Sequence, residues 1–376
     1  MERRVVSMFK REQTRQVSVG GVKIGGGAPV TVQSMTNTDT RDAKATVEQI
    51  KRLQEAGCEI VRVAVPDMEA ARAIASIRPQ ISIPLVADIH FDYRLALESI
   101  DSGADKIRIN PGNIGSYEKT AAVTEKCARF GIPIRIGVNG GSLEKKLLEK
   151  YGGATAEALA ESAEGHVRIL ESLGFYDTVV SMKASDVMTT LGAYRIFAEK
   201  FDYPLHVGIT EAGTVWGGTV KSCVGLGAVL ATGIGDTVRV SLTGDPVEEV
   251  RVARKALQSL GLGGNRHYEF TSCPTCGRTC VDLIGTAEKI ENGLDALESQ
   301  GLFERPFRAA VMGCAVNGPG EAREADIGLA GGDGCFLIFE KGEITGKIPE
   351  EDAAARFLEI VKERFAKKID GGKENE

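Results

Sequence analysis

"KIRINPGNIGSYEKTAAVTEKCARFGIPIRIGVN", residues 106–139, contains the unit from which most of the chain is built. Two β-rich runs, "KIRIN" (106–110) and "PIRIGVN" (133–139), flank "SYEKTAAVTEKCARFG" (116–131). That middle segment is amphipathic at helical spacing and ends in glycine, as helices do. Outward in both directions the same alternation recurs. Further runs read "VTVQSM" (30–35), "IVRVAV" (60–65), "PLVADIH" (84–90), "TVVSMKA" (178–184), "LHVGITE" (205–211) and "TVRVSLT" (237–243). Most start-to-start spacings lie between 22 and 32 residues; the longest, between the fifth and sixth runs, carries the charged stretch "SLEKKLLEKYGGATAEAL" (142–159). Eight strand–helix units over residues 1–260 predict an α/β fold whose N-terminal domain is a (β/α)8 TIM barrel. A doubly wound open sheet is the alternative. "QVSVGGVKIGGG" (16–27) predicts a hairpin ahead of the first strand.

"GLGGN" (261–265) breaks the alternation and marks a domain boundary. The strands "RAAVMGC" (308–314) and "CFLIFE" (335–340) and the helices "TAEKIENGLDALESQ" (286–300) and "PEEDAAARFLEIVKERFAKK" (349–368) then predict a small α/β domain over residues 266–368. Residues 369–376, within "DGGKENE", are expected to be a disordered tail.

Composition excludes several classes. Acidic residues outnumber basic ones 52 to 46, for a formal charge of −6. A nucleic-acid binder that neutralises phosphates shows the opposite balance. The basic start "MERRVVSMFKREQTRQ" lacks the apolar run of a signal peptide, and no stretch is long and apolar enough to span a bilayer. A cytoplasmic protein with no nucleic-acid or membrane partner is the expectation. Eight cysteines without a secretion signal then read as reduced thiols. Cys58, Cys127 and Cys223 fall in or beside helical segments, and Cys335 opens an apolar strand; all four read as small core residues.

TIM-barrel active sites lie at the C-terminal ends of the strands. Alternate strand residues share a face, so Arg108/Asn110, Arg135/Asn139, Lys183/Ser185 and Arg239/Ser241 each fall on one side. With Arg62, five cations end five strands of an acidic protein. For any one arginine, pairing with Asp88, Asp186 or Glu211 is the ordinary explanation. Five together call for a multiply charged anion, and arginine forks suit phosphate oxygens. His90 stands alone in this pattern and reads as an ordinary hydrogen-bonded histidine. Trp216, in "GTVWGG", reads as packing.

"SCPTCGRTC" (272–280) places two thiols where both reach one metal centre, in a stretch whose Pro and Thr favour a turn. A redox pair would open a helix after a strand. Structural zinc would want a second Cys-x-x-Cys or a histidine pair, and His267 has no partner. An iron–sulfur cluster suits several thiolates plus one ligand of another type. The spacing leaves the third thiolate open between Cys280 and Cys314. The latter sits in "VMGCAVNGPGE" (311–321), whose Asn-Gly-Pro-Gly turn leads to Glu321, otherwise an unremarked surface acid.

Taken together, "VQSMTNTDT" (32–40), "VADIHFDYRLA" (86–96), "KIRINPGNIG" (106–115), "IPIRIGVNGGSL" (132–143), "SMKASDV" (181–187), "HVGITEAGT" (206–214), "SCPTCGRT" (272–279) and "MGCAVNGPGEA" (312–322) are in place and in order. In these motifs the chain resembles the bacterial 4-hydroxy-3-methylbut-2-enyl diphosphate synthases, iron–sulfur enzymes of the non-mevalonate isoprenoid pathway. The resemblance implies a C-terminal domain holding a [4Fe–4S] cluster on Cys273, Cys276, Cys314 and Glu321, with Cys280 a nearby non-ligand. It implies that Arg62, Asp88, Arg108, Asn110, Arg135, Asn139, Lys183 and Ser241 form the site for a cyclic diphosphate. Glu211 would protonate or orient the leaving oxygen, and Glu321, as the hard and displaceable ligand, would serve catalysis as well. The implied electron donor is flavodoxin or ferredoxin, and the implied assembly is a homodimer. The rival reading is a non-redox barrel enzyme for a phosphorylated or pterin-like substrate, with zinc stapling its tail.

Overall fold

Strand parity explains the barrel. In the computed structural model, which describes residues 9–263, 267–315 and 322–367, all eight expected runs are parallel strands. A hairpin comes first, β1 (Val17–Val19) and β2 (Val22–Ile24). The barrel strands follow: β3 (Thr31–Met35), β4 (Ile60–Ala64), β5 (Leu85–Asp88), β6 (Lys106–Ile109), β7 (Ile134–Asn139), β8 (Thr178–Lys183), β9 (His206–Val207) and β10 (Thr237–Val238). Their order is β8-β7-β6-β5-β4-β3-β10-β9, and a parallel bridge from Val180 to Leu205 brings the two ends of that sheet together. Barrel closure excludes the open doubly wound alternative.

One parity on each strand is apolar and joins the layer under the surrounding helices: Val32, Val61 and Val63, Leu85 and Ala87, Ile107 and Ile109, Ile134 and Ile136, Val180 and Met182, Val207, Val238. This outer layer is the main core of the domain. The other parity points inward. Apart from Ile60 and Val86 it carries mostly polar and charged groups, where ordinary TIM barrels stack branched aliphatics.

The hairpin seals that interior. Its Gly20 and Gly21 have φ of 52° and 92°, the left-handed pair a two-residue hairpin turn requires. Val19 and Ile24 are fully buried against Ile60 and Val86, at the N-terminal end of the barrel. A Cβ at Gly20 would press on Pro84 and Asp105, so the turn itself is seated tightly.

Two strands are shorter than their sequence suggests. Runs expected over 205–211 and 237–243 pair as strand only at His206–Val207 and Thr237–Val238. Beyond those residues the backbone donors turn to other partners. Thr210 N–H donates to Ala184 O, Thr243 N–H to Gly213 O, and Leu242 N–H to the Glu249 carboxylate. A continuous ladder is thereby exchanged for a shaped mouth.

The chain divides into two compact units, residues 1–264 and 265–376. The second holds a five-stranded sheet of β11 (Tyr268–Ser272), β12 (Phe307–Met312), β13 (Ile327–Gly331), β14 (Cys335–Glu340) and β15 (Glu343–Pro349), in that spatial order. The first three are parallel and the last two antiparallel. Helices Leu283–Ser299 and Ala353–Phe365 bury their apolar faces on it through Ile290, Leu294, Phe357 and Val361. Cys335 is buried at the start of β14, as expected, and Cys58 and Cys127 are buried in the barrel unit, where burial pushes each thiol up to about 12. Cys223 is half-buried at the edge of the barrel core. The 369–376 tail lies outside the described residues.

Asp236 ties the N-terminal segment to the barrel. Its carboxyl accepts from Leu205 N–H at 2.7 Å and lies 3.0 Å from Thr14 Oγ1, which also reaches Arg11 O. Arg11 O also accepts from the backbone N–H groups of Thr14 and Gly27, so the Thr14 hydroxyl can give its one proton to Asp236. Burial, first, raises this carboxyl to about 6, against the opposing Leu205 and Thr14 bonds and Arg11. A folded-state value above the unfolded one means stability present below pH 4 that is lost as pH rises through 6, up to about 3 kcal/mol. Asp236→Asn keeps an acceptor for Leu205 N–H and removes the titrating group. Thermal unfolding midpoints followed from pH 4.5 to 7.5 should show the variant gaining on wild type by about 2 kcal/mol across that range; parallel curves would refute the assignment.

Candidate active site

At the C-terminal end of the barrel, Asp88 is the hub. The last residue of β5, it lies in register with Arg108 on β6 and Ala64 on β4. Arg108 Nη1 donates to Asp88 Oδ1 at 3.0 Å, and Arg62 Nε stands 3.7 Å from Oδ2. Burial alone would raise the Asp88 carboxyl; Arg62, then His90, Arg108 and Arg135 overcome it and hold the group far below the usual carboxylate range. His90 Nε2 is 3.5 Å from Asp88 and 3.3 Å from Arg108 Nη1. The isolated histidine of the sequence thus lies within hydrogen-bonding reach of the Asp88–Arg108 pair.

Around this hub the structure gathers the predicted cations. Arg108 and Arg135 are register partners on β6 and β7, and Asn139 pairs with Lys183 on β8. Arg62, Arg108, Arg135 and Lys183 are all buried. Arg239 belongs with them, its Nη2 3.3 Å from buried Glu249, which also accepts from Ser34 Oγ. Arg62 is lowered to about 10, by burial first; Asp88 raises it again, while Arg239 and Arg108 lower it. Burial, then Arg135 and Arg239, lower Lys183 well below its ordinary value. Arg135 is 1% exposed, and its Nε and Nη1 have no hydrogen-bond partner among the described residues.

Two inward glycines make the room. A Cβ at Gly137 on β7 would overlap the Arg108 guanidinium, whose Nη2 donates to Gly137 O at 3.2 Å. A Cβ at Gly208, just after β9, would overlap Arg239 O and crowd Lys183 Nζ. Both are visible in the sequence as small residues on the cation-bearing parity, a signal that charge counting passes over.

Of the remaining predicted residues, Asn110 is buried just beyond β6. With its amide turned to satisfy both ends, Asn139 accepts from Arg108 Nη2 and donates to Val138 O, each at 3.2 Å. Ser241 is half-buried past the end of β10. Glu211 is exposed and has φ of 51°, an uncommon left-handed conformation for a residue with a side chain. Trp216 corrects its sequence reading: it is 82% exposed and lies outside the packed core of the described residues. It lies in the first turn of the helix Val215–Leu230, whose buried stripe, Gly218, Ser222, Gly225, Leu226, Val229 and Leu230, is built largely of small residues and runs along another face.

In the second unit, parallel pairing sets Ser272 beside Val311, so Cys273 and Gly313–Cys314 emerge at the same end of β11 and β12. Gly313 N–H donates to Cys273 Sγ at 3.2 Å, the bond that suits a thiolate. Between Cys273 and Cys280 the backbone forms the expected turn: Cys276 N–H reaches Thr279 Oγ1 at 3.2 Å, and Thr279 N–H returns to Cys276 O at 3.0 Å. Arg278, through its backbone N–H and then its side chain, lowers the exposed Cys276 thiol. Cys280 turns instead to Arg278 O, 3.4 Å away. Among the described residues no three Cys, His, Asp or Glu side chains close on a single metal ion. A cluster spreads its ligands over several irons, and three half-buried or exposed thiols from two adjacent strand ends fit that wider span. Glu321 lies outside the described residues.

Residues 14–254 match the GcpE TIM-barrel domain, and residues 269–363 match the GcpE protein C-terminal domain. The chain belongs to the GcpE family. Relatives named 4-hydroxy-3-methylbut-2-en-1-yl diphosphate synthase (flavodoxin) include those of Clostridium perfringens and Halalkalibacterium halodurans, each 58% identical. The first match covers 94% of this chain and 99% of the relative; the second covers 95% and 96%. A third, from Caldanaerobacter subterraneus, is 58% identical over 93% of this chain and 97% of its own.

The hub makes a stability prediction. Asp88→Asn removes the carboxylate between Arg62 and Arg108 and leaves buried cations unopposed, a change that costs about 3–5 kcal/mol. Urea unfolding of the variant at neutral pH should show that loss. A change below about 1 kcal/mol would mean that the cations are balanced elsewhere.

Proposed function

We propose that the chain catalyses the two-electron reductive ring opening and dehydroxylation of 2-C-methyl-D-erythritol 2,4-cyclodiphosphate to 4-hydroxy-3-methylbut-2-enyl diphosphate. One ring C–O bond breaks to free the diphosphate, a second C–O bond breaks to release water, and the conversion consumes two electrons and a proton. Full-length relatives of this name support the reading and leave the non-redox, zinc-stapled alternative without support. The observation that carries it is Arg135, sealed among other cations with two guanidinium nitrogens unanswered among the described residues. An unmade hydrogen bond of this kind costs about 1–3 kcal/mol, which a diphosphate oxygen repays on binding.

In this reading Arg62, Arg108, Arg135 and Lys183 bind the diphosphate, with Asn110, Asn139 and Ser241 completing its hydrogen bonds. Asp88 holds Arg62 and Arg108 in place. Glu211 faces the leaving oxygen, its direction set by a strained backbone of the kind functional sites retain. The GcpE family is one of iron–sulfur enzymes. Here Cys273, Cys276, Cys314 and Glu321 hold a [4Fe–4S] cluster, and Cys280 is not a ligand. When bound, the cluster supplies electrons singly. Flavodoxin is the donor in the relatives' names and is the donor we assign. A homodimer accounts for an exposed apolar row on one helix, Trp216, Val220 and Val224 at four-residue spacing, beside Met188 of helix Val187–Ala198.

Anaerobic turnover of the cyclodiphosphate with a chemical reductant and a dye mediator tests the assignment. Iron-replete protein that yields no hydroxybutenyl diphosphate would sink it. Arg135→Met should lower kcat/KM about a hundredfold, the equivalent of about 3 kcal/mol. Cys314→Ser should lose iron and acid-labile sulfide while Cys280→Ser keeps both, and Glu321→Ala should damage activity far more than Cys280→Ser. Retention of the cluster in Cys314→Ser and its loss in Cys280→Ser would reverse the ligand choice.

A further inference from the structure

Beneath the cation ring the barrel holds a second polar layer that the diphosphate reading does not use. Lys106 on β6 shares the inward face with Arg108, two residues further along the same strand, and lies in register with Val86. It is fully buried, and its Nζ has no hydrogen-bond partner among the described residues. Gln33 and His206 are buried on the same inward parity; both ends of the Gln33 amide and both ring nitrogens of His206 also lack partners. The hairpin residues Val19 and Ile24, packed on Ile60 and Val86, close the N-terminal end of the barrel. A buried ammonium without partner or counter-ion is among the costliest arrangements in a protein interior.

We propose that Lys106 is the charge-compensating residue of the substrate site: its amine is neutral in the free protein and takes up a proton when the diphosphate enters the ring of cations. This rests on the substrate site proposed above.

The inward groups around it are mostly basic. Arg62 on β4, Arg108 on β6, Arg135 on β7, Lys183 on β8 and Arg239 after β10 are basic. Asp88 on β5 is committed to Arg62 and Arg108, and Glu249 to Arg239. Burial first, then Arg135 and Arg62, lower Lys106 well below its ordinary value. His206 is lowered likewise, by burial and then by Lys183, Arg135, Lys106 and Arg62, so it supplies no negative charge. Two added negative charges at the mouth offset most of that positive field, and the enclosed, unpartnered Lys106 amine then answers by protonation, alongside Lys183 in the site itself. The consequence is discrimination by charge. A dianion makes Lys106 cationic and gains its attraction, whereas a neutral polyol of the same size leaves the amine neutral.

The cyclodiphosphate suits the test because each phosphorus carries a single strongly acidic oxygen. Its charge is constant from pH 6.5 to 9, and any proton taken up on binding goes to the protein. Proton uptake makes affinity fall as pH rises, by about tenfold per pH unit for each proton. Titration calorimetry of the anaerobic holoenzyme without reductant, at pH 8 in two buffers of different ionisation heat, counts the protons. Wild type should take up at least about one proton, Lys183 adding its own share, and Lys106→Met should take up about one fewer with a flatter Kd–pH profile. The methionine removes a buried unpartnered amine and keeps the length, so the variant should unfold at a temperature no lower than wild type. The wild-type profile serves by itself as a second measurement: a Kd that is flat from pH 6.5 to 9 overturns the proposal. Uptake undiminished in Lys106→Met also overturns it. Protein that binds no cyclodiphosphate refutes the substrate reading and this inference together; binding without proton uptake refutes this inference alone.

Discussion

The unanswered donors of Arg135 set the terms for the rest of the barrel. A guanidinium that is 1% exposed, with Arg62 and Arg108 among its neighbours, is tolerable only where the surrounding structure is stable enough to hold it. Buried charge of one sign does not stabilise a fold. The binding surface is therefore kept at a cost, and the ligand that relieves the cost must be anionic. Asp88 limits the repulsion without cancelling it, which leaves the ring assembled and still short of negative charge.

That constraint explains why the core lies where it does. Because the inward parity is given over to polar groups, apolar burial is concentrated between strands and helices, in residues such as Ile107, Ile134, Val180 and Val207. At the N-terminal end, Val19 and Ile24 shut the interior off by packing on Ile60 and Val86. Low dielectric strengthens every electrostatic interaction inside. The hairpin is in this sense part of the binding machinery, although it lies at the opposite end of the strands from the site.

Much of this was legible in the sequence, because a strand's two-residue period writes the inside and the outside of a barrel directly into the chain. Arg108 and Asn110, or Arg135 and Asn139, could be assigned to one face from spacing alone. Three things were not legible. The placement of His90 against Asp88 and Arg108 depends on the loop after β5, whose path no periodicity encodes. The part played by Gly137 and Gly208 is negative, since each matters for the atom it lacks. The exposure of Trp216 reflects what lies beside its helix in space, while the local composition suggested only that it was apolar.

The cysteine site shows the same limit from the other side. Spacing placed Cys273 and Cys276 together but left Cys280 and Cys314 equal as the third thiolate. What β-sheet register adds is proximity: β11 and β12 are parallel neighbours, so residues some forty positions apart in the chain leave the sheet side by side. The Gly313 amide on Cys273 Sγ is the local consequence. Cys280, closer in sequence, is carried past the turn and faces the Arg278 carbonyl. Sequence distance counts bonds along the chain, whereas a cluster needs ligands converging in space. A parallel pair of strands converts the first into the second by bringing both C-terminal ends to one edge, as it does for the cations at the mouth of the barrel.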